Sequence, residues 1–202
     1  TFGLASVIDN VLVQHFGADT RSLATSIGTL AYDSWELPGG LYVGQLPTLV
    51  LVLAVLLLGG LHAMLAHTAL GRQIRAASED ADTARLVGVR TGTVFAAASA
   101  ITMVTVTLAG ASLALRATFD PFSGPQQLIF AFEAVIIGGA GSLWGTLLGG
   151  VVLGVAQNLG AQVHPQGFLI AGHATFLVIL LARLYASGAL RRFFSSRRRA
   201  VP

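Results

Sequence analysis

Glu133 carries the sharpest chemical signal in this chain, because it stands in apolar sequence (Leu128–Ile137) five residues before a glycine-rich segment. An ionisable side chain at such a place is costly unless it binds something. Three roles are open to it: lining a pathway, meeting a substrate ammonium, or pairing with an arginine. A fourth reading leaves it at the membrane interface, with its carboxylate reaching water. The second charged locus runs from Gly71 to Gly92, where Arg72, Arg75, Arg85 and Arg90 alternate with Glu79, Asp80 and Asp82. The remaining chemistry is sparse. His15, His62, His67, His164 and His173 form no i,i+4 pair and have no acid cluster near them in sequence, which argues against a metal site. Neither a G-x-S-x-G elbow nor any other nucleophile motif occurs.

Composition narrows the class. Of 202 residues, 54% are hydrophobic and only 10% charged, against about 25% charged in soluble domains, and mean hydropathy is +0.75. These values belong to an integral membrane protein. Cysteine is absent, so thiol chemistry and disulfides are excluded. All 12 basic residues are arginine. A phosphate-binding Walker loop needs a lysine, so the chain does not itself bind ATP in that way. The basic C-terminal tail has no aromatic interleaving of the kind nucleic-acid binders show, and nucleic acid is not an expected partner.

The elements that must position these residues follow from hydropathy. Residues 1–16 are apolar but short, either the end of a span or an interfacial helix. Residues 17–45 read as a water-exposed loop approaching the membrane at Trp35 and Tyr42. Spans are expected at 46–66, 93–115 and 168–185, with a polar turn at 116–127. Residues 128–137 are short for a span. The segment Gly138-Gly139-Ala140-Gly141-Ser142 then reads as a hinge before Leu143–Ala161, so a broken or re-entrant helix is expected there. Gly141, Gly145 and Gly149 repeat at four-residue spacing and predict a smooth packing stripe. Within the loop 67–92, the stretch from Gly71 reads as a short amphipathic helix with Ala76, Ala77 and Ala84 as a small-residue face, ended by Gly88 in a left-handed C-terminal cap and followed by a return to apolar sequence. Arginine clusters put this loop and the tail at 188–202 in the cytoplasm. The parity holds only if the glycine hinge reverses the chain. Arg116 and Arg183 stand at span ends, where snorkelling to head groups is expected. The fold class is thus all-α and polytopic, a single transmembrane domain over 1–202. The start in mid-apolar sequence suggests an N-terminally truncated fragment of a longer membrane protein.

Two motifs carry a family resemblance. Thr68-Ala-Leu-Gly71-Arg72-Gln-Ile-Arg75-Ala76-Ala77-Ser78-Glu79, followed by Ala84-Arg85-Leu86-Val87-Gly88-Val89, resembles the pattern T-x-x-G-R-x-x-R-A-x-A-E…A-x-L-x-G-I. Ala131-Phe132-Glu133-Ala134-Val135-Ile136-Ile137-Gly138-Gly139-Ala140-Gly141-Ser142-Leu143-Trp144-Gly145, continuing to Gly149-Gly150 and Gly154, resembles A-F-x-A-x-x-x-G-G-x-G-S-x-x-G…G-G-x-x-x-G. Both belong to the membrane subunits of branched-chain amino acid ABC importers, the LivH/LivM type. They cover roughly the C-terminal two-thirds of the chain. Ser78 departs from the family's usual alanine.

The resemblance implies a helical importer permease in a bacterial inner membrane. It binds no cofactor of its own, while ATP and Mg sit on separate ABC ATPase subunits. It implies a second permease subunit, alike or homologous, and an extracytoplasmic substrate-binding protein. The loop 67–92 becomes a coupling helix for the ATPase, with Arg72, Arg75, Ala76, Ala77, Glu79, Asp80, Ala84, Leu86 and Gly88 as docking residues. Glu133, Gly138, Gly139, Gly141, Ser142, Gly145 and Gly149 become pathway or hinge residues. Two alternatives stay open: an ion-coupled carrier using Glu133, and an importer of the same family for urea or short amides. A membrane scaffold without transport is a third.

Overall fold

The computed structural model describes residues 2–164 and 166–186. The basic tail expected at 188–202 lies outside the described residues. Eight α-helices follow one another among the described residues: α1 (Phe2–Phe16), α2 (Gln45–His67), α3 (Ala69–Glu79), α4 (Ala81–Leu86), α5 (Thr91–Arg116), α6 (Ser123–Gly138), α7 (Leu143–Val163) and α8 (Gly167–Ala186). Four of them, α2, α5, α7 and α8, are long and apolar enough to cross a membrane. Their side chains are largely exposed, and α2 has none of its apolar window buried. A helix apolar on all sides with no protein cover is stable only where lipid or partner helices take the place of water.

The chain divides into two compact units, residues 1–122 and 123–202. In the first, the segment expected as plain loop has structure of its own. Two 3-10 turns over Ala24–Ala31 meet at Gly28 (φ 63°), and β1 (Ser34–Leu37) pairs antiparallel with β2 (Leu41–Gly44) in the register Trp35↔Val43. The all-α expectation therefore acquires one small hairpin. Its loop needs Gly39 and Gly40 at positive φ (105° and 76°), which glycine adopts without strain. A backbone bridge between Arg21 and Phe119 (2.8 Å in both directions) ties this segment to the end of α5.

The expected spans 46–66 and 93–115 agree with α2 and α5 to within a few residues. Between them the sequence predicted one helix, and there are two. Asp80 is extended (φ −152°, ψ 104°); its carboxylate accepts the amides of Asp82 (3.0 Å) and Thr83 (3.1 Å), so a new helix starts where the first ends.

In the second unit, α6 begins at Ser123, inside the stretch expected as a polar turn. Pro125 falls in its first turn, where a missing N–H costs nothing. At 16 residues, α6 is about 24 Å long, short of the ~30 Å hydrocarbon core. The chain then reverses. Gly139 and Gly141 both take φ 96°, and Ser142 caps α7 by accepting the Gly145 amide at 3.0 Å. Helix α7 packs against α6 on one side and α8 on the other.

Candidate functional site

The charged loop is built as a joint between α2 and α5. Thr68 caps α3 by accepting the Gly71 amide (3.0 Å) while its hydroxyl donates to the Met64 carbonyl (2.7 Å). Gly71 lies so close to Leu65 that a Cβ there would meet the Leu65 carbonyl oxygen and stand 2.5 Å from its Cα. The Arg75 guanidinium donates to that same Leu65 carbonyl, in the last turn of α2. The cation thereby faces the negative end of the helix dipole. Thr68, Gly71 and Arg75 thus share one task, turning the chain from α2 into α3.

Helices α3 and α4 pack on the start of α5, where Thr91 and Val94 are buried. Ala77 and Ala84 are buried too (4% and 3% exposed), so the small-residue face expected to meet a partner is spent inside the unit, and only Ala76 of the three is exposed. Small side chains let these short helices pack closely within the unit, the same property that the sequence assigned to a partner groove. What projects instead is Leu86 (87% exposed) and Val87 (76%). Around them Arg72, Glu79, Asp82 and Arg85 are also exposed. Arg85 pairs with Asp82 at 3.0 Å and donates from Nε to Thr91 at 2.8 Å, fixing α4 to α5. After Leu86 the backbone turns through Gly88 (φ 88°): the Val89 amide returns to the Ala84 carbonyl (3.0 Å) and the Gly88 amide to Arg85 (3.0 Å). This is the Schellman arrangement expected of Gly88. The Asp80 carboxyl is held below its ordinary value, chiefly by the Thr83 hydroxyl (2.5 Å) and then by the Thr83 and Asp82 amides.

The glycine motif is mainly a close crossing. A Cβ on Gly138 or Gly145 would run into the other's carbonyl oxygen, and one on Gly149 into that of Ala134. Gly141 is not part of this stripe; it lies in the turn, with open space beside it. A second crossing, missed in the sequence, brings Gly160 of α7 against Gly167 of α8. Arg183 does not end its helix reaching for head groups. Its guanidinium donates to the Ile136 carbonyl (2.7 Å) and stands 3.5 Å from where a Gly139 Cβ would be, bracing the reversal from α8.

Glu133 is 5% exposed, and its Oε1 lies 2.5 Å from Nδ1 of His173 on α8. This corrects the expectation of an arginine partner or an interfacial carboxylate. The partner escaped notice because it is 40 residues away in sequence. Among the described residues no three His, Asp or Glu side chains gather as a metal site would require. Separately, α2 and α5 line a groove of about 300 Å³ with aliphatic side chains including Val50, Leu53, Leu57 and Leu108, and Thr105, Ser112 and Arg116 are the polar contributors at its wall.

Residues 2–187 match the family described as the permease component of branched-chain amino acid transport systems. BraD of Pseudomonas aeruginosa, a permease protein of a high-affinity branched-chain amino acid transport system, is 30% identical over 184 residues, covering 90% of this chain and 60% of BraD. LivH of Escherichia coli K12, a permease protein with the same description, is 31% identical over 117 residues, 57% of this chain and 38% of LivH. The xylose transport permease XylH of the same organism is 34% identical over 119 residues, 55% of this chain and 30% of XylH. No solved structure matches. The chain therefore belongs to the family of branched-chain amino acid transport permease components, and its described residues include four helices long and apolar enough to cross a membrane.

Proposed function

We propose that this chain is the translocation subunit of an ATP-driven, binding-protein-dependent importer, and that the α3–α4 joint receives the force of a separate ATPase. The observation that carries the reading is the projecting Leu86–Val87 pair. Two large aliphatic side chains exposed at the end of a polar loop lack the lipid that covers the spans, so their natural cover is a hydrophobic groove on another protein. The surrounding Arg72, Glu79 and Asp82 supply charge pairing at the rim. Because Arg75, Thr68 and Gly71 weld this loop to α2, and Arg85 fixes it to α5, displacement of the tip is passed to two spans. ATP and Mg belong to the partner ATPase. A second permease subunit and an extracytoplasmic binding protein complete the assembly, with the α3–α4 loop facing the cytoplasm of a bacterial inner membrane.

For substrate, the groove between α2 and α5 favours an aliphatic amino acid over a sugar. Its walls are largely aliphatic, and Arg116 offers a carboxylate partner, whereas a sugar needs a ring of hydrogen-bonding groups. The test is uptake into vesicles holding the chain with its ATPase, with leucine and xylose as probes and the binding protein supplied outside. ATP-dependent leucine uptake that survives an uncoupler supports the reading. Uptake abolished by the uncoupler points to an ion-coupled carrier, and xylose uptake in place of leucine moves the substrate class.

A further inference from the structure

The second unit contains a buried acid that packing alone does not explain. Glu133 Oε1 faces His173 Nδ1, while Oε2 is buried with no hydrogen-bond partner among the described residues. The His173 side chain is 47% exposed, so the pair has one closed end and one open end. Phe130 lies stacked on the imidazole (5.8 Å between centroids, 21° between planes) and meets Phe168 edge-on (5.9 Å), walling the pair with aromatic carbon. No other charge competes. Helix α7 has no titratable residue, α6 has only Glu133, and on α8 Arg183 is engaged with the Ile136 carbonyl near the reversal.

We propose that Glu133 and His173 form a binding site for one proton, which latches α6 to α8. With the proton bound, the pair is neutral overall, either carboxylate with imidazolium or carboxylic acid with imidazole. On release, Nδ1–H continues to donate to the carboxylate and the proton leaves from Nε2, the ring nitrogen not engaged with Glu133, which requires the exposed flank of α8 at His173 to face an aqueous pathway rather than lipid. One net negative charge then remains in apolar surroundings, where an unpaired charge is costly. The cost is relieved only if α8 moves from α6 or water enters. A proton suits this site better than a substrate ammonium, because 5% exposure of Glu133 leaves no entrance for a larger group, whereas the half-exposed imidazole is a port. The inference holds whatever solute the permease carries.

The test uses the full chain in lipid nanodiscs. The protein has no cysteine, so Ile129→Cys on α6 and Ile170→Cys on α8, both exposed, take spin labels at those two places alone. The distance distribution between them should differ between mildly acidic and alkaline buffer. Glu133→Gln and His173→Gln should each abolish the shift. A pH-invariant distribution, or an unchanged shift in Glu133→Gln, overturns the proposal. Histidine-resolved nitrogen NMR on the unsubstituted chain provides a second measurement independent of the variants' folding. Between the two buffers the His173 spectrum should show Nε2 losing its proton while Nδ1 keeps its own, and a His173 spectrum identical in both also overturns it.

Discussion

Replacing Gly149 by alanine should loosen the second unit, whereas the same change at its neighbour Gly150 should tighten it. Both glycines lie in α7, so helix propensity treats them alike and favours alanine by about 1 kcal/mol. Their surroundings differ. A Cβ at 149 meets the Ala134 carbonyl oxygen and stands 2.8 Å from the Gly138 amide nitrogen; at 150 nothing lies within 4 Å. Backbone cannot rotate away as a side chain tip can, so α6 and α7 must part by roughly 1 Å, forfeiting about a quarter to a half of the dispersion attraction across the gap. Overpacking of this kind costs about 1–3 kcal/mol, and two facing backbones put the cost at the upper end. After the propensity gain, Gly149→Ala loses about 2 kcal/mol and Gly150→Ala gains up to about 1. At about 2–4 °C per kcal/mol for a chain of this size, Tm falls by about 4–8 °C in the first and rises by about 1–4 °C in the second. Thermal unfolding in detergent, followed through Trp144 in the first turn of α7, reads both. Equal shifts in the two variants would refute the close crossing.

Other expectations are as direct. Thr68→Val removes the α3 cap and should cost about 1 kcal/mol, visible as a lowered Tm that Thr68→Ser restores. Gly88→Ala meets no atom but must hold φ 88°, so it should cost about 1–2 kcal/mol by thermal unfolding, with Gly88→Asn tolerated better. Asp80 has a folded-state pKa below its ordinary 3.8, so its cap stabilises α4 above that value and the benefit disappears as pH falls through the folded pKa. Amide exchange at Asp82 and Thr83 should therefore lose protection in acid in the parent chain, and show no such step in Asp80→Asn. Arg116→Gln should raise KM for leucine uptake with kcat little changed, since the guanidinium is assigned to binding rather than to movement.

The spans were legible because burial in lipid demands only length and apolarity, both written locally at 46–66 and 93–115. Gly88 was legible for a similar reason: a helix end needs a left-handed residue, and glycine announces it. The break at Asp80 was harder, since an aspartate between two helical patterns reads as a polar face until its carboxylate is seen accepting the amides of Asp82 and Thr83. Ala77 and Ala84 were recognised as a close-packing face, but sequence does not say against what, and both are buried within the first unit. Glu133 was singled out by its cost, while His173 carried no signal at all, because a contact between α6 and α8 is a tertiary fact. Arg75 was read as a topology and docking charge and Arg183 as snorkelling to head groups, yet each finds a carbonyl at a neighbouring helix end.

Contact of Leu86 and Val87 with an ATPase can be tested directly. Because the chain lacks cysteine, Leu86→Cys carries a single thiol-directed photocrosslinker in the assembled transporter. A crosslink to the ATPase is expected, with a yield that changes when ATP binds, and none from Leu56→Cys, which lies exposed in the α2 span. A Leu86 probe that labels only lipid or water, or no more ATPase than the Leu56 probe, would contradict it.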